Sequence, residues 1–220
     1  AQDGRRREPA AHYPHIVLVT INKEKNMLDK ALALQDEIIR LRRTIHANPE
    51  LSFREYQTAA LVADTLNEIG GYTVRTGVGK TGVVAELGDS GPTIAIRADM
   101  DALPIIEAND APYCSCNPGV MHACGHDAHT AILLGVAHML RQSYAAEPWQ
   151  GRVRLLFQPS EEAVDENNIS GATAIIQDQA LEGIDAVIAL HASADQPSGR
   201  FMFQDGPSQT AVDSFHTWIR

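Results

Sequence analysis

Two short runs constrain the fold more than anything else in this chain: Val153-Arg-Leu-Leu-Phe157 and Ala186-Val-Ile-Ala-Leu190. Both are nearly apolar throughout, where a strand with one wet face would alternate with period two. Such runs belong in a sheet covered on both faces, which in turn requires helices on both sides. The rest of the chain supplies them. Met27, Leu28, Ala31, Leu32, Gln35, Ile38, Ile39, Arg42 and Ile45 recur at helical spacing and predict one amphipathic helix, ended by Asn48-Pro49. A second helix is predicted from Glu55 to Ile69, stopping at Gly70-Gly71. Three β-rich runs follow, Tyr72 to Thr76, Gly82 to Leu87 and Pro92 to Ala98, with Asp89-Ser90-Gly91 as the turn between the last two. Helices are predicted again over His126 to Leu140 and Gly171 to Gln179. Strands alternating with helices make the fold class α/β.

This order places the chemically interesting residues together. Asp99 and Asp101 follow the strand ending near Arg97, Glu161 and Glu162 follow the one ending near Gln158, and His191 closes the last. In open α/β sheets the carboxyl edge of the strands is where ligands bind. Each feature also has a plain structural explanation. In His122-Ala-Cys124-Gly-His126-Asp127-Ala-His129, a thiol and an imidazole two apart, with glycine between, suit a metal pair; a capped, solvated helix start fits the same letters. Glu161-Glu162 reads as a solvated turn, or as one metal-holding and one proton-moving carboxylate. Asp99-Met-Asp101 reads as an acidic turn, or as carboxylates that orient a metal-bound histidine. His191 equally suits a satisfied core position.

Composition removes several function classes. Asp plus Glu outnumbers Lys plus Arg by 28 to 18, a net charge of −10, which argues against nucleic acid or an anionic membrane surface as the main partner. The three cysteines, Cys114, Cys116 and Cys124, form no even disulfide framework and point to a reducing, cytoplasmic setting. No apolar run approaches membrane-spanning length, and Ile16 to Ile21 is too short and broken for a secretory signal. His-Glu-x-x-His, the P-loop, Gly-x-Ser-x-Gly and the zinc-deaminase pattern are all absent. A thiol nucleophile at Cys124, with His122 or His126 as base, stays open. So does a non-catalytic relative that only binds metal or a protein partner.

Taken in order, the segments resemble the zinc- or manganese-dependent aminoacylase and carboxypeptidase family. The branch they are most similar to holds hippurate hydrolases, auxin-conjugate hydrolases and N-acetyl-diaminopimelate deacetylase. The resemblance is carried by Leu41-Arg-Arg-Thr-Ile-His46, Asn48-Pro-Glu-Leu51, Glu55, Thr58 and Lys80-Thr-Gly-Val-Val84. It continues through Arg97-Ala-Asp-Met-Asp-Ala-Leu-Pro104, Glu107, Gly119-Val-Met-His-Ala-Cys-Gly-His-Asp127, Phe157-Gln-Pro-Ser-Glu-Glu162 and Leu190-His191. It implies a three-layer α/β/α catalytic domain around a mixed, mostly parallel sheet. It also implies two divalent ions, zinc or manganese, with Cys124, His126, Glu162 and His191 as ligands. Glu161 takes the place of the general base, Asp101 that of the supporting carboxylate, and Asp99 is a further contributor. The implied reaction is amide hydrolysis of an N-acyl amino acid or small peptide.

The same resemblance divides the chain into an extension or tag over 1–26, expected to be disordered, a catalytic segment over 27–210, and the first strand of a lid and dimerisation domain over 211–220. On that reading the chain is a fragment with an incomplete metal site and little or no turnover, and a homodimer belongs only to the full-length protein. Ala163-Val-Asp-Glu-Asn-Asn-Ile169 stands where the family has a Gly-rich stretch, which blurs the substrate.

Overall fold

The computed structural model describes residues 25–194 and 197–202, so the proposed extension (apart from Lys25 and Asn26) and the proposed lid strand lie outside the described residues. Lys23–Ala192 gathers into one compact unit, and the architecture below is that unit's. Helices α1 (Lys25–Ala33), α2 (Gln35–Ala47) and α3 (Tyr56–Ile69) lead into strands β1 (Thr73–Val78), β2 (Gly82–Leu87) and β3 (Thr93–Asp99). After a long loop come α4 (His126–Ala146), β4 (Arg152–Gln158), α5 (Gly171–Gln177) and β5 (Ala186–Ala189). The sheet order is β1-β2-β4-β3-β5. Strand β3 pairs in parallel with β4 and β5, while β2 is antiparallel to both its neighbours. Four strands therefore run one way and β2 runs against them, a mixed, mostly parallel sheet.

Period-two alternation sorts the strand side chains into two cores. Val83, Ala85, Ala98, Leu155 and Phe157 face one way and pack with Leu41 of α2, Val62 and Leu66 of α3, and Leu134 of α4. Val84, Ala95 and Leu156 face the other way, against Ile175 of α5 and Ala180. The first layer holds three long helices and the second only the short α5.

Two expectations change in detail. The single helix expected from Met27 to Ile45 is broken at Leu34, whose N–H turns back to Ala31 O (3.1 Å) in a tight i−3 bond. Beyond the break α2 buries Leu41 and Ile45, while α1 leaves Met27, Leu28 and Leu32 about half exposed. No proline or glycine marks the site. The run Ala186–Leu190 does form a strand, but an exposed one, with Val187 and Ile188 each 52% exposed. It lies at the sheet edge beside β3.

Leu134 sits fully buried at the centre of the larger core. Leu134→Ala leaves a cavity with little room to collapse and is expected to cost about 2–5 kcal/mol, read as a lower urea midpoint with an unchanged m value.

Candidate metal centre

Strand register assembles the site. Asp99 pairs with Gln158, and Arg97 with Ala189, so Asp99, the turn after Gln158 and His191 all emerge at the same sheet edge. The long loop after β3 is pinched shut at its base, where Leu103 and Met121 exchange two backbone hydrogen bonds of 3.0 Å. That closure returns the chain beside Asp101 just before Cys124 and His126. Gly125 caps α4 with φ 89°, a conformation L side chains rarely adopt, and a Cβ there would lie 3.2 Å from Ala192 Cβ. Glycine thus lets the thiol and imidazole turn toward the same space.

His126 is the hub. It is fully buried, and its Nδ1 donates to the Asp101 carbonyl at 2.8 Å, which leaves Nε2 facing the site. Nε2 lies 3.7 Å from Asp99 Oδ2, 3.7 Å from Glu162 Oε1 and 4.0 Å from Glu161 Oε2. Three donor groups share it: Cys124–His126–His191, His126–Glu161–Glu162 and Asp99–His126–His129, each with ligand atoms within 4.8 Å of one another. Cys124 Sγ lies 3.4 Å from His191 Nε2. His191 is exposed, not a satisfied core histidine.

The carboxylates are held from behind. Asp101 Oδ1 accepts from Glu161 N and Oδ2 from Glu162 N, both at 3.0 Å, and Oδ2 also accepts from Ser52 Oγ at 2.6 Å. Burial pushes Asp101 up, but the hydrogen bonds from His126, Ser52 and the two amides outweigh it, so the carboxyl stays below its usual range. Asp99 pairs with Arg97 Nη1 (2.7 Å) and His129 Nδ1 (2.6 Å). Burial again opposes ionisation there, and the histidine hydrogen bond with the nearby positive groups still brings Asp99 to about 2.

Whether the residues fit a divalent cation is tested by two atoms. His126 Nε2 and Glu162 Oε1 are buried, have no hydrogen-bond partner and lie 3.7 Å apart. Orphaned polar atoms of this kind are costly unless something binds them. Thiol, imidazole and carboxylate together are a zinc-type donor set that also admits manganese. The residues fit.

The family model of peptidase family M20/M25/M40 matches residues 95–210. The chain belongs to this family. It is 45% identical over 204 residues to an N-acetyl-L-cysteine deacetylase of Bacillus subtilis, covering 92% of this chain and 47% of that protein. It is 44% identical over 185 residues to thermostable carboxypeptidase 2 of Saccharolobus solfataricus, covering 83% of this chain and 46% of that one. Among solved structures it is similar to a dinuclear metal-binding peptidase of the M20 family from Bacillus subtilis. That match has a TM-score of 0.67 and 41% identity, over 75% of this chain and 45% of the other. The chain spans about half the length of the curated relatives it matches.

Sequence reasoning left three site-supporting residues without a role. His129 bridges Asp99 to Ala192 N, which donates to its Nε2 at 2.8 Å, tying the residue after His191 to the end of β3. Its helical spacing of three from His126 was the available signal. Glu55 is fully buried, and His46 holds Asp127 through Nδ1 (2.7 Å) and Glu107 through Nε2 (3.0 Å). Of the remaining motif residues, His122 is buried with neither ring nitrogen hydrogen-bonded, and burial brings it down to about 4. Cys114 and Cys116 stay in the long loop, outside the donor groups.

Burial and the surrounding carboxylates push the Cys124 thiol up to about 12. At His126 burial works the other way, but Asp101, Asp99 and Glu162 outweigh it and raise its proton affinity. A metal must displace both protons, so affinity is expected to rise with pH, by at least about tenfold between roughly pH 6 and 8. Zinc titration at the two pH values checks this; equal affinities would exclude Cys124 and His126 as ligands.

Proposed function

We propose that this chain carries the metal-binding and proton-transfer side of a two-metal amidohydrolase acting on N-acyl amino acids or small peptides. One observation carries the reading: two adjacent glutamates both reach His126 Nε2, at 3.7 and 4.0 Å, yet differ in exposure. The Glu162 side chain is 19% exposed, with Oε1 buried and unpartnered against His126. The Glu161 side chain is 42% exposed, with Oε2 4.0 Å from His126 Nε2.

Glu162 would hold metal together with Cys124, His126 and His191, and Asp101 would orient both glutamates and the His126 ring. Divalent ions bound there supply Lewis acidity toward water and the scissile carbonyl. Glu161 takes the proton from the attacking water and returns it to the leaving amine, giving a carboxylic acid and a free amino acid. An N-acetylcysteine deacetylase and a carboxypeptidase both release an amino acid from an amide, and that shared chemistry supports the substrate class. Cysteine and histidine favour zinc, and the carboxylates admit manganese.

The cysteine-nucleophile alternative has the electrostatics against it. Attack requires a thiolate, and the Cys124 thiol, held up at about 12, keeps its proton at neutral pH without a cation beside it. A cytoplasmic location is part of the proposal, resting on the free thiols of Cys114, Cys116 and Cys124. No helix among the described residues is long and apolar enough to cross a membrane.

The test is hydrolysis of hippurate or an N-acetyl amino acid with added zinc or manganese, in whichever length of chain supports turnover. Glu161→Gln is expected to lower kcat by roughly 10² to 10⁴ with the bound metal unchanged. Retained turnover would remove Glu161 from proton transfer, and metal binding without turnover at any length would favour the non-catalytic reading.

A further inference from the structure

Ser160, Glu161 and Glu162 present three consecutive backbone N–H groups, and each ends on a buried carboxylate. Glu161 N and Glu162 N reach Asp101, whereas Ser160 N reaches Glu55 Oε1 at 2.8 Å, across 105 residues of chain. Glu55 is fully buried at the start of α3. Its other hydrogen bonds come from neutral donors, Phe53 N to Oε1 at 3.0 Å and Thr81 Oγ1 to Oε2 at 2.5 Å. Burial raises its proton affinity against the pull of those donors. A carboxylate is costly in such a place, and its donors join three separate turns: the one before α3, the one between β1 and β2, and the one after β4.

The turn after β4 needs holding. Ser160 has φ 44°, the left-handed region that non-glycine residues avoid, and it is fully buried. Its Oγ donates to Ala163 O and its carbonyl accepts from Gly171 N, both at 2.9 Å. The turn packs directly on the glycine that opens α5, where a Cβ would lie 1.6 Å from Pro159 O. Glu55 supplies the remaining hold, on the N–H. Reversing that peptide would re-aim both glutamates.

We propose that Glu55 is a positioning residue for the metal centre: through Ser160 N it fixes the left-handed turn that brings Glu162 and Glu161 to His126. The inference rests on the reading of Glu162 as a metal ligand.

Cobalt(II) binding to the 220-residue chain tests it, because the thiolate-to-cobalt band reports Cys124 and the d–d bands report the whole ligand set. Glu55→Ala, folded by far-UV circular dichroism, is expected to bind cobalt roughly tenfold or more weakly. Its d–d spectrum should change while the thiolate band persists. Glu55→Gln keeps an oxygen for Ser160 N and restores most of the affinity. Ser160→Gly in the Glu55→Ala background recovers part of it, since glycine takes positive φ freely. A folded Glu55→Ala with the original affinity and d–d spectrum overturns the proposal. So does a Gln variant as weak as Ala with no recovery in the double variant, which marks a general loss of fold.

If Glu55→Ala does not fold, Glu55→Asp decides instead. It keeps the charge but withdraws it from Ser160 N, and an unchanged affinity and spectrum overturns the proposal. Glu162→Gln separates the two ideas. An unaltered cobalt spectrum there sinks the ligand reading, whereas an altered one beside silent Glu55 variants sinks only the positioning role.

Discussion

The site depends on one side chain that reaches outward only through its neighbours, the buried carboxylate of Asp101. Its two oxygens accept from the amides of Glu161 and Glu162, and one also takes the Ser52 hydroxyl. Its own carbonyl accepts from His126 Nδ1. One residue therefore sets the backbone of both glutamates and the ring orientation of the histidine between them. Charge-assisted hydrogen bonds of this kind are stronger and more directional than neutral ones, and burial removes the competing water. The ionised form is favoured because these three donors, with His126 Nδ1 also 3.3 Å from Oδ1, outweigh the cost of burial.

The sheet explains why such an arrangement forms at all. Parallel pairing of β3 with both β4 and β5 brings three carboxyl ends to one edge, and the register puts Asp99 level with the turn after Gln158 and with His191. The antiparallel pair on the far side extends the sheet, and its turn contributes Thr81, which donates to Glu55 behind Ser160. Coverage is unequal. Three long helices pack on the face that carries Leu155 and Phe157, and this layer includes α4, whose first residue is His126. The helical layer and the site are thus continuous: Thr130 Oγ1 donates to Asp99 O at 2.8 Å one turn beyond His126, fastening helix to strand beside the candidate donor groups.

Much of this was legible in the residues, and the boundary of legibility is physical. Strand runs, helix stops at Asn48-Pro49 and Gly70-Gly71, and the gathering of Asp99, Asp101, Glu161, Glu162 and His191 at strand ends all follow from local periodicity and α/β topology. The break at Leu34 did not, because Leu34 carries no local signal and the two halves differ only in what they bury. The exposure of Val187 and Ile188 did not either, since an apolar run states what a strand could bury, not what stands over it. Glu55 was hidden for a third reason. Its partners Thr81 and Ser160 lie 26 and 105 residues away, and no pattern in one sequence connects three turns that meet only in space.

Glu161 and Glu162 both reach His126 Nε2, but one side chain is 42% exposed and the other 19%. Side-chain direction alone would leave both free to swing into water. What fixes the difference is that three successive amides are tied down, one on Glu55 and two on Asp101, so neither glutamate can rotate its backbone to exchange places with the other. The Glu162 oxygen is then forced against a histidine nitrogen with no proton-bearing partner, and the Glu161 carboxylate is left wet. A divalent cation would satisfy the buried pair and offset the negative charge of Asp99 and both glutamates around it. The same crowding of negative groups would favour an occupant of positive charge.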